Sequence, residues 1–172
     1  GIAVSSDTGV TVRGCGFFSA AVGGQPAGRA IAITGSTAAT QNTASVVERN
    51  LFVRMATAID LLNATRYSVA GNHITLYSVD AVQLRNNVNI DAGDGEVSGN
   101  TFYAAETGIA CVHFFSGSGP RIINNKCQLG QFGFLFDIVN GAGGAINVIL
   151  IGYNSIEGQT ADGVRFNPLG ST

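Results

Sequence analysis

Charge is what this sequence has least of. Of 172 residues, 9 are Lys or Arg and 11 are Asp or Glu, so charged side chains make up 12%, about half the ~25% of an ordinary globular chain. Lysine occurs once, as Lys126. A net charge of −2 lacks the basic footprint that nucleic-acid binding requires, and no nucleic-acid partner is expected. No run approaches the ~18 apolar residues of a membrane helix, so no membrane partner is expected either. Tryptophan is absent and proline occurs three times, yet 45% of residues are hydrophobic, which excludes a disordered chain. The three cysteines, Cys15, Cys111 and Cys127, are odd in number and form no C-x-x-C. They give neither a disulfide framework nor a zinc spacing and are expected to serve as small buried apolar residues. His73 and His113 stand apart, with no spacing for a transition metal. No phosphate-binding loop and no nucleophile elbow is present.

What the chain has in quantity is glycine, 24 residues, and an internal repeat. An Asn recurs three residues after a Val or Ile and two before another apolar residue: Asn50, Asn72, Asn100, Asn125 and Asn154, with Cys15 in the same place in a sixth copy. Successive anchors are 35, 22, 28, 25 and 29 residues apart. Each is followed by a second apolar pair: Ile31/Ile33, Ile59/Leu61, Val82/Leu84, Ile109/Cys111, Phe134/Phe136 and Val164/Phe166. A small residue precedes every pair: Ala30, Ala58, Ala81, Gly108, Gly133 and Gly163.

Two apolar residues separated by one other face the same way on a strand. Each copy holds about three such short strands with corners between them, and none has room for a packed helix. One copy cannot bury its apolar face, whereas stacked copies bury a continuous column. Asn tolerates the left-handed backbone of a sharp corner, and Asn side chains stacked every ~4.8 Å can bond to one another and to the backbone. The expected fold is therefore all-β, with no substantial α-helix. Val12, Val47, Val69, Val97, Ile122 and Ile151 should form one buried column, and Phe17, Phe52, Ile74, Phe102, Cys127 and Ile156 another.

The stretches GIAC (108–111), NNKC (124–127) and VSGNTF (97–102) resemble the repeat of the right-handed parallel β-helix family, that of pectate-lyase-like proteins and phage tailspikes. The resemblance runs over nearly the whole chain. It implies a right-handed parallel β-helix of about six coils, residues 1–172 forming a single domain. Gly1-Ile2-Ala3-Val4 matches the GIAC strand, so the chain is expected to be a segment of a longer rod. It also implies an extracellular, cell-surface or virion location, a polysaccharide partner and a homo-oligomer, such as a trimer, or a larger assembly.

In that family, polysaccharide binds along the face formed by the "GIxL" strands. Alternation gives the outward residues of that face as Ala32, Thr34, Asp60, Leu62, Gln83, Arg85, Ala110, Val112, Leu135, Asp137, Arg165 and Asn167. Asp60, Gln83, Arg85, His113, Asp137 and Arg165 are the substrate-binding candidates. Alternatively, their charges form cross-rung pairs that keep the face soluble, worth ~0–1 kcal/mol each. Glycosidic cleavage needs two carboxylates ~5–9.5 Å apart. Asp80 and Glu106, at corners of successive rungs, are the catalytic candidates, set against two exposed carboxylates of ordinary titration. Asp91, Asp94 and Glu96 in NIDAGDGEV form a weak calcium candidate, set against a solvated turn; no cofactor is otherwise expected. Two functions remain open at this level: a polysaccharide-interacting domain that cleaves glycosidic bonds as hydrolase or lyase, and a non-catalytic rod or adhesin segment. Ser19–Arg29, Thr34–Thr43, Asn86–Gly95, Ser116–Pro120 and Asn140–Asn147 read as loops on the scaffold, where binding function concentrates.

Overall fold

A computed structural model describes residues 1–5, 9–19, 28–35, 42–85, 95–115, 120–139 and 149–169; the predicted loops lie almost wholly outside them. Among the described residues every regular element is a strand. The strands form three parallel sheets of seven, six and six strands, and a two-stranded pair joins Asn42–Thr43 to Ala64–Thr65. Sheet 1 contains Ile2–Ser5, Arg29–Thr34, Thr57–Leu62, Asp80–Arg85, Ala110–Phe114, Phe132–Val139 and Asp162–Leu169. Sheet 2 contains Thr11–Arg13, Val46–Glu48, Ser68–Ala70, Glu96–Ser98, Arg121–Ile123 and Leu150–Gly152. Sheet 3 contains Gly16–Phe18, Leu51–Val53, His73–Tyr77, Thr101–Ala104, Lys126–Gln128 and Ser155–Glu157. The chain visits sheets 2, 3 and 1 in that rotation, so each sequence copy adds one rung to all three.

The anchor register is the one the repeat predicts. Val12, Val47, Val69, Val97, Ile122 and Ile151 are consecutive partners in sheet 2. Phe17, Phe52, Ile74, Phe102, Cys127 and Ile156 are consecutive partners in sheet 3. The inner members of both columns are buried, while Phe17, Ile151 and Ile156 at the outer rungs are partly covered. Aromatic rings extend the columns, with Phe17 on Phe52 at 4.9 Å and Phe136 on Phe166 at 4.7 Å between centroids. Each fully buried ring, such as Phe52 or Phe136, contributes roughly 1.5–3 kcal/mol.

At the corner between sheets 2 and 3 the asparagines form a continuous ladder. Asn72 Nδ2 donates to the Val47 carbonyl at 2.8 Å and to Asn100 Oδ1 at 3.0 Å, and the Asn72 backbone N–H donates to the same Oδ1 at 2.9 Å. The pattern repeats from Asn50 to Asn154. In the interior amides Asn72, Asn100 and Asn125, both donors and both acceptor positions are thus satisfied inside the protein.

Two expectations are corrected. The left-handed residue at this corner is not the anchor but the one before it: Gly14, Arg49, Gly71, Gly99, Asn124 and Tyr153 have φ of 67°, 55°, 62°, 62°, 56° and 56°. Glycine takes this conformation without strain; its role is to turn the chain so that the next side chain points along the column.

The fourth pair in sheet 1 is not Ile109/Cys111. Val112 and Phe114 pair with Val82 and Leu84 and with Phe134 and Phe136. The small column therefore runs Ala30, Ala58, Ala81, Cys111, Gly133, Gly163, in the gaps between paired positions. A Cβ added at Gly133 would lie 2.7 Å from Ile156 Cγ2, which shows how closely sheets 1 and 3 meet there. Gly108 instead closes a turn, its N–H bonding to the Ala105 carbonyl at 2.9 Å. The resemblance of GIAC to the family repeat misplaces this strand by three residues. Ala110 consequently pairs with Asp80, Val112 turns inward, and His113 takes the outward place beside Gln83.

Asn100→Ala is expected to destabilise the protein by ~1–3 kcal/mol, because it strands the backbone and side-chain donors of Asn72. Asn154→Ala should cost less, since Asn154 is only partly buried. Chemical denaturation of both variants checks the order.

Candidate functional site

The polar side chains of the chain's interior rungs collect on the outer face of sheet 1. Pairing places Ala32, Asp60, Gln83, His113, Leu135 and Arg165 in one column. Asp137 pairs with Asn167, and Asp80 with Thr57 and Ala110. Of the sequence candidates, Asp60, Asp80, Gln83, Arg85, His113 and Asp137 are brought into two contiguous networks.

The first network is a chain of carboxylate, imidazole and carboxylate. His113 Nδ1 lies 3.0 Å from Asp80 Oδ2, and Nε2 lies 2.8 Å from Asp137 Oδ2. Asp80 is 1% exposed. It also accepts Gln83 Nε2 at 2.6 Å and the Ala110 backbone N–H at 3.2 Å. Asp137 accepts Asn167 Nδ2 at 3.1 Å. The Phe115 ring stacks on the imidazole with centroids 3.9 Å apart. Burial is the largest single influence on His113 and lowers its pKa, but the hydrogen bonds and charges of Asp80 and Asp137 together outweigh it and hold the pKa above the usual 6.5. The reason is geometric: only the imidazolium donates from both nitrogens, so the neutral ring leaves one carboxylate facing a lone pair.

The second network surrounds Asp60, 2% exposed. Arg85 donates from Nε to Oδ1 at 2.7 Å and from Nη2 to Oδ2 at 2.5 Å. Arg29 adds Nε to Oδ2 at 3.0 Å. A bidentate pair of this burial differs in kind from the exposed pairs Arg13–Glu48 and Arg121–Glu96: removing one partner of a buried pair costs ~3–5 kcal/mol, against ~0–1 for surface pairs. Asp60 is therefore covered by arginine and not presented to solvent.

Other candidates fall elsewhere. Glu106 lies in an exposed turn, while the Asp80 carboxylate bonds His113, Gln83 and the Ala110 N–H. Arg165 bonds Asp162 of its own strand at 3.4 Å and lies over the Phe132 ring at 5.6 Å; it does not pair with Asp137. Asp91 and Asp94 lie outside the described residues, and Glu96 forms an ion pair with Arg121 at 3.3 Å. Among the described residues no cluster of metal-ligating side chains is found. Cys111 and Cys127 are buried and Cys15 is exposed. Tyr77 OH meets Cys111 Sγ at 3.2 Å, and burial pushes the Tyr77 hydroxyl and the Cys127 thiol well up.

Sequence reasoning named His113 as a binding candidate but not its contacts with Asp80 and Asp137, and it missed Arg29 in the second network. The outward place of His113 follows on counting back from Phe134/Phe136 through a strand with Phe114 inward. Nothing local marked Arg29, which precedes a pair whose outward neighbour is Ala32. Comparison of the chain with known protein families, with curated proteins and with solved structures finds no match.

Because the fold favours protonated His113, its stabilisation is complete below the unfolded pKa of ~6.5 and is lost as pH rises through the higher folded pKa. Thermal stability should therefore decline above about pH 6.5. The His113 ring, followed by NMR, should titrate above a free histidine, and Asp137→Asn should bring that midpoint down. A midpoint unmoved by Asp137→Asn would show that the second carboxylate contributes nothing.

Proposed function

We propose that the chain is a segment of right-handed parallel β-helix, of the pectate-lyase-like and tailspike-like kind, that contacts polysaccharide outside the cell or on a virion. Three parallel sheets visited in fixed rotation and the asparagine ladder support the fold. The observation that carries the function is the outer face of sheet 1. Buried Asp60 and Asp80 lock polar side chains of several successive rungs in place, and Arg29, Arg165 and Asp162, with side chains 51%, 48% and 50% exposed, stand at their margins. A strip of fixed donors and acceptors is suited to sugar hydroxyls, because little side-chain freedom remains to be lost on binding.

A second reading, glycosidic cleavage, draws support from the first network. Protonated His113 holds a proton directed at Asp137, the less buried of its two carboxylates, from where it can pass to a glycosidic oxygen as in general-acid catalysis. On this reading Asp137 serves as the acid, with Asp80 orienting the imidazole. The rod reading draws support from the last described rung, where the column residues Val164 and Phe166 are 38% and 54% exposed; exposed apolar side chains on a strand favour association with further β-structure.

Affinity electrophoresis through gels containing a panel of polysaccharides tests the binding reading. Wild type should be retarded by at least one polymer, and Arg165→Ala should run faster in that gel by weakening retention roughly 3–10-fold. Equal mobility of wild type in every gel refutes it. Reducing-end release that Asp137→Asn abolishes, and Glu106→Gln spares, is the result expected of cleavage.

A further inference from the structure

The outer face of sheet 3 takes no part in either network, and large apolar side chains stay exposed there. Phe18, Leu51, Tyr103 and Leu129 are 68%, 38%, 41% and 41% exposed. Phe18, Leu51 and Tyr103 flank the inward column on their strands, and Leu129 follows the fifth strand at the margin of the face. Phe18, Val53, Thr75 and Tyr103 are consecutive partners in one outward column. The first four strands of this sheet, Gly16–Phe18, Leu51–Val53, His73–Tyr77 and Thr101–Ala104, contain no Asp, Glu, Lys or Arg. An exposed apolar patch whose centre lacks charge marks an interaction surface.

The charges at its margin indicate what covers it. Arg54 follows the second strand and Glu106 the fourth, each in the connection from sheet 3 to sheet 1, and both are exposed. Two rungs, ~9.6 Å of sheet, separate them. Among the described residues neither forms an ion pair or a side-chain hydrogen bond. Every lysine and arginine is described, and the carboxylates that are not, Asp7, Asp91 and Asp94, belong to connections from sheet 1 to sheet 2. Arg54 and Glu106 lie one rung to either side of the third strand. A two-fold axis along that strand, in the plane of the face, therefore brings Arg54 of each copy to Glu106 of the other. The same axis sets Val53 against Tyr103, Leu51 against Thr101 and Thr75 against itself, and Lys126 meets Gly16 without opposing a like charge. The charge along the rod agrees: residues 1–85 carry six arginines against four carboxylates, and residues 86–172 carry three cations against seven. Antiparallel copies place these unlike halves together, whereas parallel copies place like halves together.

We propose that the outer face of sheet 3 is the contact surface of an antiparallel, two-fold dimer of this chain, rimmed by Arg54 and Glu106 of one copy against Glu106 and Arg54 of the other. Short strands make a small face, so the dimer should be reversible, with a Kd of about 1–100 µM. Sheet 1 takes no part in the contact, so the dimer stands or falls apart from the polysaccharide reading.

The test is sedimentation velocity of the intact chain from ~1 µM to ~1 mM, with a reductant present so that exposed Cys15 cannot cross-link copies. Wild type should show a reversible monomer–dimer equilibrium that weakens as salt is raised. Arg54→Glu and Glu106→Arg should each weaken the dimer roughly tenfold, because each sets two pairs of like charges together. The double variant Arg54→Glu/Glu106→Arg should regain wild-type affinity. Tyr103→Lys, which sets a charge against Val53 of the second copy, should leave only monomer. Melting temperatures of the variants at monomeric concentration should match that of wild type, which separates lost association from lost folding. A wild-type chain that stays monomeric over the whole range, or forms trimers, overturns the dimer. A dimer indifferent to both single charge reversals, or not restored by the double one, overturns the antiparallel contact.

Discussion

Everything in this molecule hangs on the bonding of the asparagine amides at one corner. A backbone N–H at a sharp turn has no strand to pair with, and burying it unpaired costs a large fraction of a hydrogen bond. Here the Oδ1 of the next rung accepts it, from Cys15 through Asn125. The same oxygen accepts the Nδ2 of the preceding asparagine, so each rung is tied to the next at a single defined height. Sheets 2 and 3 leave this corner on either side within a few residues, and their apolar columns inherit its alignment. The loops elsewhere in each coil can then vary in length without disturbing the stack.

Sheet 1 lies furthest along the chain from that corner, and there the structure uses other devices. Its inner face is aligned by aliphatic and phenyl columns, with small residues where sheets 1 and 3 approach. Its outer face carries the charged groups of the domain's centre, and they are mutually satisfied: Arg85 and Arg29 on Asp60, Gln83 and His113 on Asp80, Asn167 and His113 on Asp137. Buried ion pairs are a poor source of net stability but are costly to break singly. Their effect here is to fix side-chain positions across rungs.

The two networks differ chemically. Around His113, two carboxylates share one imidazolium and hold its pKa above the ordinary value of a histidine. Around Asp60, two guanidinium groups meet one carboxylate. Both lie on the same outer face of sheet 1.

The sequence by itself determined the stacking. The Val-x-x-Asn-x-Phe pattern, with apolar residues at fixed distance on both sides of Asn, predicts both columns in sheets 2 and 3 correctly, because the whole pattern spans only six residues and one corner. Sheet 1 follows after longer and variable segments, so its register is not local information. In the fourth rung, GIAC and the true pair Val112/Phe114 satisfy the same alternation, and only pairing with the rungs on either side selects between them. That choice gives His113, already a binding candidate, the outward place at the centre of the first network and leaves Glu106 in a turn. The partners of Asp60 likewise could not be read from the chain, since Arg29 and Arg85 lie 31 residues before and 25 residues after it. Contacts of that kind exist only once the rungs are stacked, and so the tertiary structure alone decided what the charged residues do.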